Sequence, residues 1–176
     1  MKAISIKDPW ACLIIHLSKR CENRSWPIHY RGPLVICSSG KPECWRQEDF
    51  IDLLEDVRPD LLSAPLPAPR LGDFIKPGLA LGLVDVVGCD RAMKTEWDEP
   101  DQWHHRYDNV RPFTLPIPLN GKDPLCKAGQ GLFFIDDRLV DVALRTGYPV
   151  LGYDDGFIVS MSLVRAYFKR ALLRMS

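Results

Sequence analysis

Lys19, Glu22 and Arg24 bring an ammonium, a carboxylate and a guanidinium together in one short stretch of the chain. The segment around them, 19–39, is locally basic: Lys19, Arg20, Arg24 and Arg31 stand against a single acid, Glu22. Trp26, His29 and Tyr30 lie among these charges, and a β-type run, Pro33–Ser38, follows at once. Cations interleaved with flat rings, on a loop entering a strand, can hold a phosphate backbone and stack a base. The same set could do proton chemistry. A desolvated lysine with a lowered pKa can serve as general base beside a carboxylate, and Glu22 and Asp85 are the candidate partners for Lys19. On the residues alone, the favoured reading of Lys19 and Glu22 is a loop-shaping ion pair. If exposed, such a pair is worth a few tenths to about 1 kcal/mol.

The remaining candidates each have two readings. Trp26 and Tyr30 could stack a base or wall the core under the loop. Ser38 and Ser39 end a strand, where a capping hydroxyl is the default and a hydrogen bond to a nucleotide the sharper option. Asp85 interrupts the almost wholly apolar run Leu79–Val87 (LALGLVDVV), so it either faces a cleft or pairs internally with an arginine or an amide. His104 and His105 are adjacent, and in a strand they point to opposite faces, which favours a surface position over a shared metal site.

The elements that must position these groups follow from pattern. Ala3–Ile6 reads as a short strand. Asp8 as N-cap and Pro9 as first helical residue predict a helix over 9–17 with Trp10, Leu13, Ile14 and Leu17 inward. After the basic loop come a strand at Leu34–Cys37 and a helix over 42–57, with Trp45, Phe50, Leu53, Leu54 and Val57 near one face. Pro59, Pro65, Pro67, Pro69 and Pro77 make 59–77 a surface excursion that neither a helix nor a central strand continues through. Leu79–Val87 is the strongest strand. A polar segment follows at 93–107, then an edge or rim strand at 110–119 carrying Pro112, Pro116 and Pro118, then a strand at 131–135. The tail 160–175 reads as a helix with Arg165, Lys169, Arg170 and Arg174 on its polar side. These cations make a solvated face or an extension of a phosphate-binding surface. Short strands spaced by Gly/Pro turns, with helices between them, predict a single small α+β domain built on a β-barrel. The regular alternation of a doubly wound sheet is missing.

Composition narrows the field further. The 176 residues carry 23 Lys+Arg against 23 Asp+Glu, so no global field draws the chain to nucleic acid or membrane, and any such site is a local patch. The opening segment does not read as an export signal, and no window reaches the roughly 18 apolar residues of a membrane span. Six cysteines, Cys12, Cys21, Cys37, Cys44, Cys89 and Cys126, form no CxxC pair. They read as buried, reduced thiols of a cytoplasmic protein, with no metal site and no cofactor implied.

With these residues in view, the chain resembles the ASCH family of PUA-like β-barrel domains, as a bacterial or phage-type member. AISIKDPWACLII resembles the family's strand-then-PWA-helix start, and Lys19, Glu22 and Arg24 occupy the defining places of its G-x-K-x-x-E-x-R motif. Leu17 stands where that motif has glycine, whose tight backbone approach is thereby altered. Arg24–Trp26, Tyr30–Leu34 and Ser38 match further elements, LGLVDVVGC matches the central strand with Asp85, and WHHRYDNVRPF matches a late segment that suggests Arg111 faces the cleft. The resemblance implies binding of RNA, another nucleic acid or a nucleotide-like small molecule in a basic cleft. Lys19, Arg24 and Arg31 would then engage phosphate, Trp26 and Tyr30 a base, and Glu22, Ser38, Asp85 and Arg111 polar groups. Some family members are hydrolases of acetylated cytidine or ribonucleases, so the alternative is a metal-independent hydrolase using Lys19, with Glu22 and Asp85. In the amidohydrolase a threonine is the nucleophile, and its place here falls on Glu22, which cannot act as a hydroxyl nucleophile. Binding is therefore the leading expectation. A third reading is a protein-interaction module using the proline-rich 59–77.

Overall fold

The computed structural model describes residues 1–41, 43, 45–63, 70–119 and 131–145. The helix expected at 160–175 lies outside the described residues.

Alternation along two short strands sets up both faces of the sheet. In β1 (Lys2–Ile6), Ile4 and Ile6 join one buried cluster and Ala3 a second. In β3 (Gly32–Ser38), Leu34 and Ile36 go to the first cluster and Val35 and Cys37 to the second. A strand buried on both faces reads as a continuous apolar run, which is why LVIC shows no alternation in sequence. β1 and β3 pair in parallel, Ala3 opposite Val35 through Ile6 opposite Ser38. A parallel pair needs a long crossover, and α1 (Trp10–His16) with β2 (Cys21–Arg24) supplies it.

The other strands are β4 (Leu79–Asp90), β5 (Trp103–Pro118) and β6 (Phe133–Phe134), and the sheet order is β2-β5-β4-β3-β1-β6. Leu13 and Ile14 of α1, with Phe50 and Leu54 of α2 (Gln47–Val57), cover the first face. Val140 and Ala143 of α4 (Asp137–Arg145) cover the second. The close seat of α1 depends on Gly82, where a Cβ would lie 2.9 Å from both the Arg111 carbonyl and the Ile15 methyl.

This is the expected α+β, PUA-like fold, with one refinement: among the described residues the sheet is not closed by a ladder into a barrel. A side chain spans the gap instead, for Arg24 Nη2 of β2 donates to the Ser5 carbonyl of β1 at 2.9 Å.

Several boundaries differ from expectation for identifiable reasons. Asp8 does not cap α1: Pro9 itself is the N-cap and no side chain caps the helix. The Asp8 carboxylate is buried and accepts from Ser38 Oγ at 2.5 Å and from the Lys76 amide at 2.6 Å. The polar segment from Trp103 and the proline-bearing segment form one strand, β5. β2 covers only Trp103–Arg106, so among the described residues the half bearing Pro112, Pro116 and Pro118 has β4 on one side alone, where missing N–H donors cost no ladder bond. α2 begins at Gln47, where the Arg46 amide donates to Asp49 at 3.0 Å. The 59–77 excursion is more than surface. It opens with a short helix, α3 (Pro59–Ser63), whose proline sits at the first position, and a 3₁₀ turn at Leu71–Phe74 buries Phe74 with its ring 5.0 Å from that of Phe50.

Candidate ligand cleft

The end of α1 turns Lys19 inward. The Leu13 carbonyl takes both the Leu17 and Lys19 amides, and Ser18, at φ +62°, swings the chain out of the helix. Leu17, at φ −122°, needs no glycine; it is buried and joins the core. Lys19 is 2% exposed, with Nζ 2.5 Å from the Cys21 carbonyl, 3.5 Å from Glu22 Oε2 and 5.4 Å from the centre of a Trp10 ring. Glu22 and Arg24 belong to strand β2 rather than to the loop expected there, and their side chains meet at 3.1 Å. Buried charges are tolerated only when paired and hydrogen-bonded. The three therefore form one unit, with Glu22 shared between two cations.

This unit lines an open cleft of about 380 Å³, within the range that holds small ligands. On one side stand Trp10 and Glu43; the Trp10 indole donates to Glu43 at 2.6 Å, and Lys7 lies 3.2 Å from the same carboxylate. On the other is the 91–102 loop, with Trp97 and Asp98 buried in it. The Asn23 amide holds this loop through the Trp97 carbonyl at 2.8 Å. Asp98 accepts the Lys94 and Thr95 amides at 2.7 and 2.9 Å and Arg106 Nη1 at 2.6 Å, while Arg106 Nη2 reaches Asp90 at 2.9 Å. Burial alone would raise the Asp98 carboxyl, but Arg106 and the two amides outweigh it and hold the group below the usual carboxylate range. The Arg106 bond brings Asp90 down to about 2.

The expected basic cleft is not basic. Its cations are Lys7, Lys19 and Arg24; its acids are Glu22, Glu43, Glu96, Asp98 and Glu99. Glu96 and Glu99 are exposed, and no cation among the described residues is within ion-pair distance of either. Sequence-local charge missed this because the acids come from segments distant in the chain.

Of the residues singled out in the sequence, Lys19, Glu22 and Arg24 line the cleft and the others do not. Asp85 is half-buried elsewhere, held by Arg111 Nη2 at 2.6 Å and Asn109 Nδ2 at 2.8 Å, so neither Asp85 nor Arg111 joins Lys19. Trp26 packs edge-on against His105, with centroids 4.7 Å apart. Tyr30 lies under the Lys2 ammonium, 4.0 Å from its ring centre, and donates to the Pro33 carbonyl. Arg31 is exposed and turns back onto the Ile28 and Tyr30 carbonyls. Ser38 is buried against Asp8.

His104 and His105 do face opposite ways, but both are buried rather than at the surface. Because the Asn23 Nδ2 is spent on Trp97, its Oδ1 accepts from His104 Nδ1 at 2.9 Å. Burial, aided by Arg24, pushes His105 down to about 4 against the opposing Trp26 carbonyl contact, so its Nε2 carries the hydrogen donated to that carbonyl at 2.9 Å. Sequence reasoning missed Asn23 and Trp97 as cleft residues. The one available signal was a tryptophan inside an otherwise polar segment.

An open PUA-like sheet with a Lys–Glu–Arg unit on the wall of a cleft defines the class of protein. The chain belongs to the ASCH domain family, whose sequence model matches residues 4–120. It is also similar to mouse activating signal cointegrator 1, 29% identical over 99 residues, which make up 56% of this chain and 16% of that protein. The chain thus corresponds to a small part of that relative's length.

The thiols of Cys12, Cys21 and Cys89 are free, and burial pushes the Cys21 thiol up to about 12. Cys44 and Cys126 lie outside the described residues. No helix among the described residues is long and apolar enough to cross a membrane.

Proposed function

We propose that this domain binds single-stranded RNA or a nucleotide-like ligand by admitting a base to the cleft over Lys19, Glu22 and Arg24, in the cytoplasm, where its free thiols stay reduced. The observation that carries this reading is the largely buried charged unit set on the wall of an open cleft whose lining also holds Trp10 and Trp97. Largely burying three charges disfavours folding unless something is gained, and a donor–acceptor wall in a cleft that also holds two tryptophans suits a heteroaromatic ring with polar edges. The acids at the rim favour phosphates outside the cleft, on exposed cations such as Arg20 and Arg31.

The test is the triple variant Lys19→Met, Glu22→Gln, Arg24→Gln, which removes all three charges together and so strands none. Circular dichroism is expected to show a retained fold, and fluorescence anisotropy an affinity for single-stranded RNA reduced at least about tenfold, or about 1.4 kcal/mol. Unchanged affinity would remove the cleft from the reading.

The hydrolase reading draws on the same proximity of Lys19 and Glu22. Among its described residues the cleft lining holds no serine, threonine or cysteine, so water would have to be the nucleophile. A proton-accepting Lys19 would also give up its ion pair with Glu22. If this reading holds, Lys19→Ala abolishes turnover of acylated cytidine or RNA by a folded protein. A wild type that turns over neither sinks it for those substrates.

A further inference from the structure

β2 is an edge strand: among the described residues it pairs with β5 alone. In an antiparallel pair, residues alternate between exchanging main-chain hydrogen bonds with the partner and pointing them away. The Tyr107 amide donates to the Arg20 carbonyl at 2.8 Å, so the 20–107 pair is of the bonded kind. With the register Cys21 opposite Arg106 and Glu22 opposite His105, Glu22 and Arg24 also turn their main chain toward β5. Cys21 and Asn23 turn theirs outward. The Cys21 carbonyl is taken by Lys19 Nζ. The Cys21 N–H is left without its carbonyl beside it, whereas Asn23, which lines the cleft, keeps both its amide N–H and its carbonyl side by side on this edge. The Asn23 side chain is unavailable, being spent on Trp97 and His104.

We propose that this Asn23 main-chain edge is the element that reads the base. The N–H donates to a ring nitrogen or carbonyl, and the carbonyl accepts from an exocyclic amine or ring N–H, so the ligand class is an unpaired nucleobase entering edge-first. The geometry suits a base whose Watson–Crick edge is free and rejects one already paired, because a donor and an acceptor adjacent on one peptide edge match the donor–acceptor pair every base presents there. Glu22 and Arg24 flank the edge and keep it rigid through their ion pair and the tie to Ser5. The exposed Glu96 and Glu99 turn the ligand's phosphate outward. A free strand edge also suits an extended peptide adding as a further strand. A cleft of about 380 Å³ with Trp10 and Trp97 in its lining favours a compact planar ligand over that occupant. The proposal rests on the base-binding reading above.

The experiment is a titration of the ¹⁵N-labelled protein with adenosine, cytidine, guanosine, uridine and a short single-stranded RNA, following backbone amides and tryptophan indoles. The expected result is a downfield shift of the Asn23 amide proton and at least about tenfold slower solvent exchange at that site. For the nucleoside that binds tightest, the partner lacking or blocking the edge is then compared: purine riboside for adenosine, pyrimidin-2-one riboside for cytidine, 1-methylguanosine for guanosine, 3-methyluridine for uridine. Each is expected to bind at least about tenfold more weakly, since a buried donor or acceptor is left unmet. A response at the Trp97 indole with none at the Asn23 amide, or equal affinity for the edge-altered analogue, overturns the main-chain assignment and leaves base binding intact. No response to any nucleoside or RNA overturns both. An Asn23 response to an extended peptide but to no nucleoside overturns this proposal in favour of strand addition.

Discussion

Glu22 and Asp85 are both strand carboxylates that pair with an arginine, Glu22 in the polar β2 and Asp85 in the apolar run of β4, and they end in different worlds. Glu22 is a tenth exposed, shared between Lys19 and Arg24, and set on a cleft wall. Asp85 is on a central strand with its side chain 28% exposed, and its partner Arg111 is 36% exposed. The first arrangement confines charge where a ligand can reach it. The second is a surface pair of the kind that contributes little. What separates them is where each strand lies in the sheet: β2 is an edge beside a cleft and β4 runs between β3 and β5.

The sharpest way to break this comparison is Glu22→Ala against Asp85→Ala in urea denaturation. Glu22→Ala leaves buried Lys19 and partly buried Arg24 without their counter-ion and is expected to cost about 3 kcal/mol, whereas Asp85→Ala is expected to cost less than about 1 kcal/mol. Equal losses would mean that the two carboxylates are energetically the same. Next in size, Gly82→Ala probes the seam joining the two regions, because its Cβ would meet both the Arg111 carbonyl and Ile15 of the helix that leads to Lys19. The expected loss is about 1–3 kcal/mol, and a loss under about 0.5 kcal/mol would show that α1 can back away.

A smaller effect is set by pH. His105, next to Arg24, is held neutral in the folded protein down to about 4, against an ordinary value near 6.5 when unfolded. The unfolded chain therefore binds the proton first, so stability is full above about pH 6.5 and falls as pH drops toward 4. Asp90, held down to about 2, adds a further decline from about pH 4 toward 2. Urea midpoints measured across this range should fall in those two windows, and His105→Gln should flatten the upper one. The smallest effect expected is on binding: Asp85→Asn should leave RNA affinity within about twofold, because Asp85 lies outside the cleft. A tenfold change there would return Asp85 to the site.

Much of the fold was legible because it depends on near neighbours. Ile4 and Ile6, Leu34 and Ile36, and the long run from Leu79 announce their strands, and the prolines at 112, 116 and 118 mark the half of β5 that, among the described residues, β4 alone pairs with. The union of 103–118 into one strand was hidden, because its first half is polar for reasons that lie elsewhere. Asn23 and Trp26 supply the partners that let His104 and His105 be buried. The candidate site was legible in its Lys19–Glu22–Arg24 spacing and illegible in its company. Trp97 reaches the cleft through a contact 74 residues along the chain, and the acids that reverse the cleft's charge come with it.

By itself, then, the sequence determined the apolar strands and helices, the ASCH pattern and the charged trio, since each rests on residues close enough in the chain to constrain one another. The tertiary structure alone decided which strand edge stays open, which acid faces a ligand and what charge surrounds it. Those are properties of strand order and of long-range contacts, and no local pattern encodes either.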